Sequence, residues 1–72
     1  MKLYLLILPQ DLRDFDCAIG FVVRAANERE ARKLAADRHG DEGDEAWKLQ
    51  ATCTELTVEG PPGVILRDFW GA

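Results

Sequence analysis

The chain has 72 residues, of which 47% are hydrophobic and 31% charged, a composition that fits one globular domain and excludes a disordered chain. Thirteen acidic residues against nine basic ones give a net charge of −4, which argues against direct contact with nucleic acid. No stretch is long enough to span a bilayer, and the apolar residues before Pro9 lack a signal-peptide cleavage site. We therefore expect a cytoplasmic protein in which Cys17 and Cys53 are reduced, although the sequence leaves a bridge between them open.

Two strands are predicted in the first third of the chain. Residues 2–8 are apolar at both parities, which is typical of a central strand covered on both faces. Pro9 ends this strand, and residues 10–17 form a polar loop. A second, half-buried strand follows, because apolar residues recur there at every other position, namely Ile19, Phe21, Val23 and Ala25.

A helix is predicted over residues 28–38. Asn27, followed three positions later by Glu30, matches the capping-box pattern that opens helices. Gly40 is typical of the residue just beyond a helix C-terminus. The narrow apolar stripe of this helix comprises Ala31, Leu34 and Ala35.

Two further strands are predicted after the helix. Apolar and polar residues alternate over residues 47–58, and the parity flips at residues 54–55, which indicates a bulge within one strand. The Gly-Pro-Pro-Gly sequence at residues 60–63 predicts a turn, and residues 64–69 a last strand. The apolar residues in phase at the start of the third strand are Trp47, Leu49, Ala51 and Cys53, and we expect Trp47 to be in the core.

These elements predict a single α+β domain over residues 1–72. Its four-stranded antiparallel sheet has the connectivity β-β-α-β-β and the strand order 2-1-3-4, with one helix packed on one face. If the first strand runs up, the second runs down and the helix runs up again. The polar loop at residues 10–17 and the loop at residues 40–46 therefore meet at the same end of the sheet.

Acidic residues are concentrated in these two loops. We interpret the shared end as a docking surface for a basic protein, and the alternative is a pair of solvated loops that keep the protein soluble. The candidate partner-binding residues are Asp11, Asp14, Asp16, Asp41, Glu42, Asp44 and Glu45, together with Trp70 near the end of the chain.

One helix is too narrow to cover both faces of the sheet. Apolar residues left bare on a small sheet usually mark an interface, so we expect a homodimer that packs sheet to sheet. The residues predicted to form that interface are Tyr4, Leu6, Leu8 and Val22.

Side chains suited to catalysis or metal binding are few. The chain has no serine and a single histidine, His39, which could meet Cys17 at the acidic end in a small Cys–His enzyme. The acidic residues lack EF-hand spacing, and there is no CxxC pair. We therefore predict a non-enzymatic protein without metal, cofactor or catalytic residues.

Short patches of the sequence resemble known proteins. Residues 1–4, residues 21–25 with residues 30–32, and residues 63–69 are similar to small phage- and prophage-encoded proteins of unknown function. The resemblance implies an accessory gene expressed in a bacterial host. Small acidic proteins of that kind include inhibitors of host nucleic-acid-binding machinery, among them anti-CRISPR proteins, which can present carboxylates where a host protein expects phosphates.

The leading hypothesis is thus a binding protein that docks its acidic end on a basic host protein or nucleoprotein complex. The alternatives are a small dimeric structural or assembly protein of a phage, and the Cys–His enzyme.

Overall fold

The computed structural model describes residues 1–69, which contain three strands, one α-helix and two short helical turns. The predicted α+β class is confirmed. Along the chain the elements are β1 (Lys2–Ile7), a 3-10 turn (Gln10–Leu12), β2 (Gly20–Ala25), α1 (Glu28–Ala36), a π-helical turn (Ala46–Gln50) and β3 (Thr52–Leu56).

The strands form one antiparallel sheet in the order β2-β1-β3. β1 is central, with its Leu5 opposite Val22 of β2 and Thr54 of β3. The predicted hairpin, and the crossover through the helix to the other edge of β1, are both confirmed. Because β2 and β3 run opposite to β1, the loop after β1 and the loop after α1 lie at the same end of the sheet.

The even-numbered residues of β1 point to the core. Tyr4, Leu6 and Leu8 are buried beneath α1, so their assignment to a bare sheet face is wrong. Val22, the fourth residue predicted there, does lie on the face opposite the helix and is 56% exposed. A period of two fixes which residues share a face, but β1 is apolar at both parities and its sequence does not indicate which face meets the helix.

The start of α1 agrees with the capping pattern. Asn27 Oδ1 accepts a hydrogen bond from the Glu30 amide at 2.9 Å, and Glu30 Oε1 accepts one from the Ala26 amide at 3.0 Å. Within residues 1–69 α1 is the longest helix, and its nine residues are too few to cross a membrane. Small side chains allow it to pack closely on the sheet, the buried ones being Ala31, Ala35 and Ala36.

A helical turn occupies the place predicted for the start of the third strand. It is closed by the Ala51 amide, which donates to the Ala46 carbonyl at 2.7 Å, and β3 begins only after it. Trp47 is fully buried, as predicted, whereas Leu49 is 76% exposed rather than in phase with it. A short run of alternating residues is compatible with either conformation, and here the tertiary contacts of the turn decide.

Arg32 of α1 supplies those contacts. Its Nη1 donates to the carbonyl of Trp47 within the turn at 3.0 Å and to that of Ala51 just after the turn at 2.8 Å. Its Nε also donates to Glu28 one helical turn earlier, at 2.8 Å. Carbonyls at the end of a helical segment lack partners within the segment, so the guanidinium stabilises a turn whose local sequence also fits a strand.

The last predicted strand and the predicted bulge are both absent from the described residues. β3 pairs with β1 continuously from Thr52 to Leu56, without a bulge at residues 54–55. Residues 64–69 have no regular structure and are exposed. Residues 60–63 do not form the predicted type II turn, because Gly63 lacks the positive φ that such a turn requires, and the chain does not fold back along β3.

We expect Asn27→Ala to lower the free energy of unfolding by about 1 kcal/mol, because the Glu30 amide loses its acceptor at the first turn of α1. Urea denaturation followed by circular dichroism measures this change. Asn27→Asp retains an acceptor at the same place and is the matched control. Equal stability of all three proteins would show that the cap contributes nothing.

Candidate functional site

The two acidic loops are in direct contact. The Asp41 amide donates to the Asp16 carbonyl at 2.9 Å, which joins the loop after α1 to the loop after β1. Gly40 makes this approach possible, because a Cβ at that position would collide with the Asp16 carbonyl oxygen. Asp16 has a left-handed backbone with φ of 58°, a conformation that aspartate tolerates better than most residues. The predicted meeting of the loops is therefore present in the structure.

Glu42 connects these loops to the core. Its carboxylate accepts hydrogen bonds from the amide of Ala18 at 3.1 Å, from the amide of Gly40 at 2.9 Å and from the indole Nε1 of Trp47 at 2.6 Å. The three donors come from three different segments of the chain. Glu42 was predicted to face a partner, but its carboxylate points inward to donors of its own chain.

The pKa of Glu42 reflects this environment. Desolvation by burial acts to raise its pKa, but the hydrogen bonds from the Trp47 indole and from the Gly40 and Ala18 amides outweigh that effect and lower it. The folded protein thus favours the ionised form of the Glu42 carboxylate.

The other predicted acidic residues lie at the surface of the same end. Asp44 accepts a hydrogen bond from Lys48 Nζ at 3.1 Å, and this hydrogen bond and the charge of Lys48 lower the pKa of Asp44. Asp14 Oδ1 accepts from the Phe15 amide at 2.8 Å. Of these surface carboxylates, those of Asp11, Asp14, Asp16, Asp41 and Glu45 make no salt bridge within residues 1–69. Trp70, also predicted to contact a partner, lies outside the described residues.

Phe15 is a surface feature that the sequence analysis missed. It lies between Asp14 and Asp16 in the first acidic loop, and 84% of it is exposed. Large aromatic residues at protein surfaces are common anchors in partner pockets. A lone aromatic residue between two aspartates in a polar loop was the signal that could have identified it.

The two side chains considered for catalysis, Cys17 and His39, lie in different environments. Cys17 is half-buried beside Glu42, and partial desolvation together with the Glu42 carboxylate raises the pKa of its thiol. His39 is exposed, and its Nδ1 lies 2.7 Å from the Gly40 carbonyl. Cys53 is a free thiol on β3 whose pKa is raised by burial. Among residues 1–69 no three His, Cys, Asp or Glu side chains converge on a position for a metal ion.

Comparison of the chain with protein-family models, with curated proteins and with solved structures found no match.

We expect Gly40→Ala to reduce stability by about 1–3 kcal/mol, because the new methyl group forces the two acidic loops apart. Gly63→Ala is the matched control, since its φ is not positive and a Cβ there meets no atom of the described chain. Chemical denaturation of both variants measures the difference. If Gly40→Ala proved as stable as Gly63→Ala, the close contact of the loops would be refuted.

We expect the contribution of Glu42 to stability to depend on pH. Because the folded state lowers its pKa, the stabilisation is fully present above the pKa of an unfolded glutamate, about 4.3, and is lost as the pH falls through the lower folded value. Glu42→Gln places amide hydrogens against the donors and should cost on the order of 1–3 kcal/mol at neutral pH.

Thermal unfolding at pH 7 and at pH 3 tests this prediction. The stability gap between the wild-type protein and Glu42→Gln should narrow at the lower pH, which lies below the pKa of an unfolded glutamate. Glu59→Gln makes the same chemical change at an exposed carboxylate that forms no salt bridge within residues 1–69, and it serves as the control. A gap that stayed constant between the two pH values would contradict the role given to Glu42.

Proposed function

We propose that this protein acts by binding, without catalysis, and that its acidic end docks on a basic protein. The acidic end consists of residues 10–17 and 40–48. The hydrogen bond from the Asp41 amide to the Asp16 carbonyl and the hydrogen bonds accepted by Glu42 support this function, because they hold together the two loops that carry the carboxylates. A surface held in place loses little conformational entropy when it binds.

The charge distribution supports the same conclusion. The acidic end carries seven acidic and two basic residues, a net charge of −5, whereas the rest of the chain carries six acidic and seven basic residues, a net charge of +1. All of the excess negative charge of the protein is therefore in the two loops. Such a concentrated field accelerates encounter with a positively charged surface and repels nucleic acid.

Phe15 gives this surface an apolar centre. A binding site with carboxylates alone depends on ion pairs that water and salt weaken, and exposed pairs contribute little. An aromatic ring that enters a partner pocket adds a contact from which water is excluded. The complementary surface is then an apolar pocket surrounded by lysine or arginine residues.

Proteins that bind nucleic acid carry such surfaces. Their phosphate-binding sites present lysine and arginine side chains, and closely spaced carboxylates can occupy the positions of phosphates. The resemblance to phage and prophage proteins favours a bacterial target. We therefore infer an inhibitor of a basic nucleic-acid-binding host protein or nucleoprotein complex, acting in the host cytoplasm.

The thiol environment favours binding over a Cys–His enzyme. Reactive cysteines have a lowered pKa, whereas the pKa of Cys17 is raised by desolvation and by the Glu42 carboxylate. The Cys17 side chain is therefore a protonated thiol at neutral pH, and a thiol is a weaker nucleophile than a thiolate.

A small assembly protein is the second candidate function, and the face of the sheet opposite α1 favours it.

The test is affinity capture of purified protein against a bacterial lysate, with the captured proteins identified by mass spectrometry. The wild-type protein should retain a nucleic-acid-binding protein at low salt and release it at high salt. The triple variant Asp11→Lys, Asp41→Lys and Glu45→Lys should lose it. Glu42 is left unchanged there because its carboxylate holds the loops together.

A triple variant with the same change in net charge is the control. Asp37, Glu59 and Asp68 are exposed acidic residues outside the acidic end, and their reversal to Lys should leave capture intact. Phe15→Ala should weaken capture at both salt concentrations, because its contribution is apolar. Capture that survives reversal of the acidic end, or that is lost equally in the control, would refute the proposed function.

A further inference from the structure

The face of the sheet opposite α1 is almost free of charge. The strand register places the odd-numbered residues of β1 on this open face, next to the even-numbered residues of β2 and β3. Arg24 is the single charged residue among them. The open face consists of Leu3, Leu5 and Ile7, then Gly20, Val22 and Arg24, then Thr52, Thr54 and Leu56.

The segment after β3 extends this apolar surface instead of covering it. Leu66 and Phe69 lie beside Ile7 and Gly20, where they line a shallow cleft at one end of the open face. The charged residues Arg13, Arg67 and Asp68 line the same cleft. Their side chains stay largely exposed, and so do those of Val64 and Val58. Val22 and Leu3 are also exposed, so the segment leaves the other end of the face uncovered.

We propose that the open face, together with residues 57–69, is the contact surface for a second copy of this chain. The chemistry of the face selects this occupant. A basic protein or a nucleic acid needs several charges of one sign, whereas the open face has only Arg24, and the charged residues of the segment, Glu59, Arg67 and Asp68, are mixed in sign. A flat surface of aliphatic and threonine side chains packs on an identical one, as in two-sheet sandwiches. A two-fold contact brings the same patch of each copy together.

The shape of the molecule provides enough area. The Cα atoms extend over 34 × 28 × 15 Å, so the protein is a plate that is one sheet and one helix thick. An ellipse with the two longer axes covers about 750 Å², so a contact over the whole broad side of the molecule would reach the roughly 800 Å² per partner that specific interfaces bury.

The charge distribution is compatible with this dimer. In this dimer the two-fold axis lies between the two sheets and is perpendicular to the strands. The two copies then point in opposite directions, and their acidic ends lie at opposite ends of the dimer. The two charges of −5 are then separated by more than the Debye length of roughly 8–10 Å, so their repulsion is screened. Both acidic ends remain accessible, and the dimer is independent of the function proposed for them.

The test is sedimentation and light scattering at increasing protein concentration. The wild-type protein should reach twice its chain mass of 8.1 kDa, and its melting temperature should rise with concentration. Val22→Glu should raise the dissociation constant of the dimer by at least about 100-fold, because each dimer would bury two unpaired carboxylates. In the monomer this side chain reaches solvent, since Val22 is 56% exposed.

Leu49→Glu is the matched control, because Leu49 is exposed on the helical turn and lies outside the open face. It should dimerise like the wild-type protein. If Val22→Glu failed to fold, Thr54→Lys would replace it, as Thr54 is exposed on the same face. A wild-type protein that stayed at 8.1 kDa at high micromolar concentration, or dimerisation of an open-face variant equal to that of Leu49→Glu, would overturn the proposal.

Discussion

The carboxylate of Glu42 is the interaction on which the candidate site depends. It satisfies the indole of the buried Trp47 and the amides of Ala18 and Gly40, so one side chain connects the core, the loop after β1 and the loop after α1. A buried indole N–H without an acceptor is costly, and so is a desolvated carboxylate without donors. Each group therefore requires the other, and the two loops are held together as a consequence.

This arrangement separates the acidic residues into two kinds. Glu42 is used within the molecule, while the carboxylates around Phe15 are presented to solvent. Repulsion within a cluster of like charges destabilises the fold, and the hydrogen bonds accepted by Glu42 offset part of that cost. The hydrogen bonds of Glu42 thus stabilise the fold and leave the other carboxylates of the two loops available for a basic partner.

The flat shape of the molecule gives it a second surface for contact. A small domain with one helix covers one face of its sheet and leaves the other to be covered by something else. The acidic end and the open face adjoin at the cleft lined by Arg13 and Ile7, but they differ in chemistry, one charged and one nearly uncharged. The two surfaces therefore suit different partners, a basic protein and a second copy of the chain.

Local patterns were sufficient for much of the fold. The period-two residues of β2, the Asn27 cap of α1 and the connectivity of the first three strands follow from the sequence, because each depends on neighbours along the chain. The meeting of the acidic loops also follows, since antiparallel pairing and one crossover place them at the same end.

Other features depended on contacts between distant residues. Which face of β1 is buried was decided by the packing of α1 and Trp47, because a strand apolar at both parities carries no preference. The turn containing Trp47 is helical because Arg32 binds its carbonyls from α1, and the segment 64–69 does not extend the sheet because Gly63 lacks the positive φ of the predicted turn.

The sequence by itself determined the fold class, the order of the first three strands, the helix cap and the concentration of negative charge at one end, since these arise from spacing along the chain. Only the tertiary structure decided that Glu42 turns inward, that Phe15 turns outward and that the odd-numbered face of β1 stays uncovered. The physical reason is that burial of a side chain is fixed by which elements pack against it, and that is a property of the whole chain rather than of any one segment.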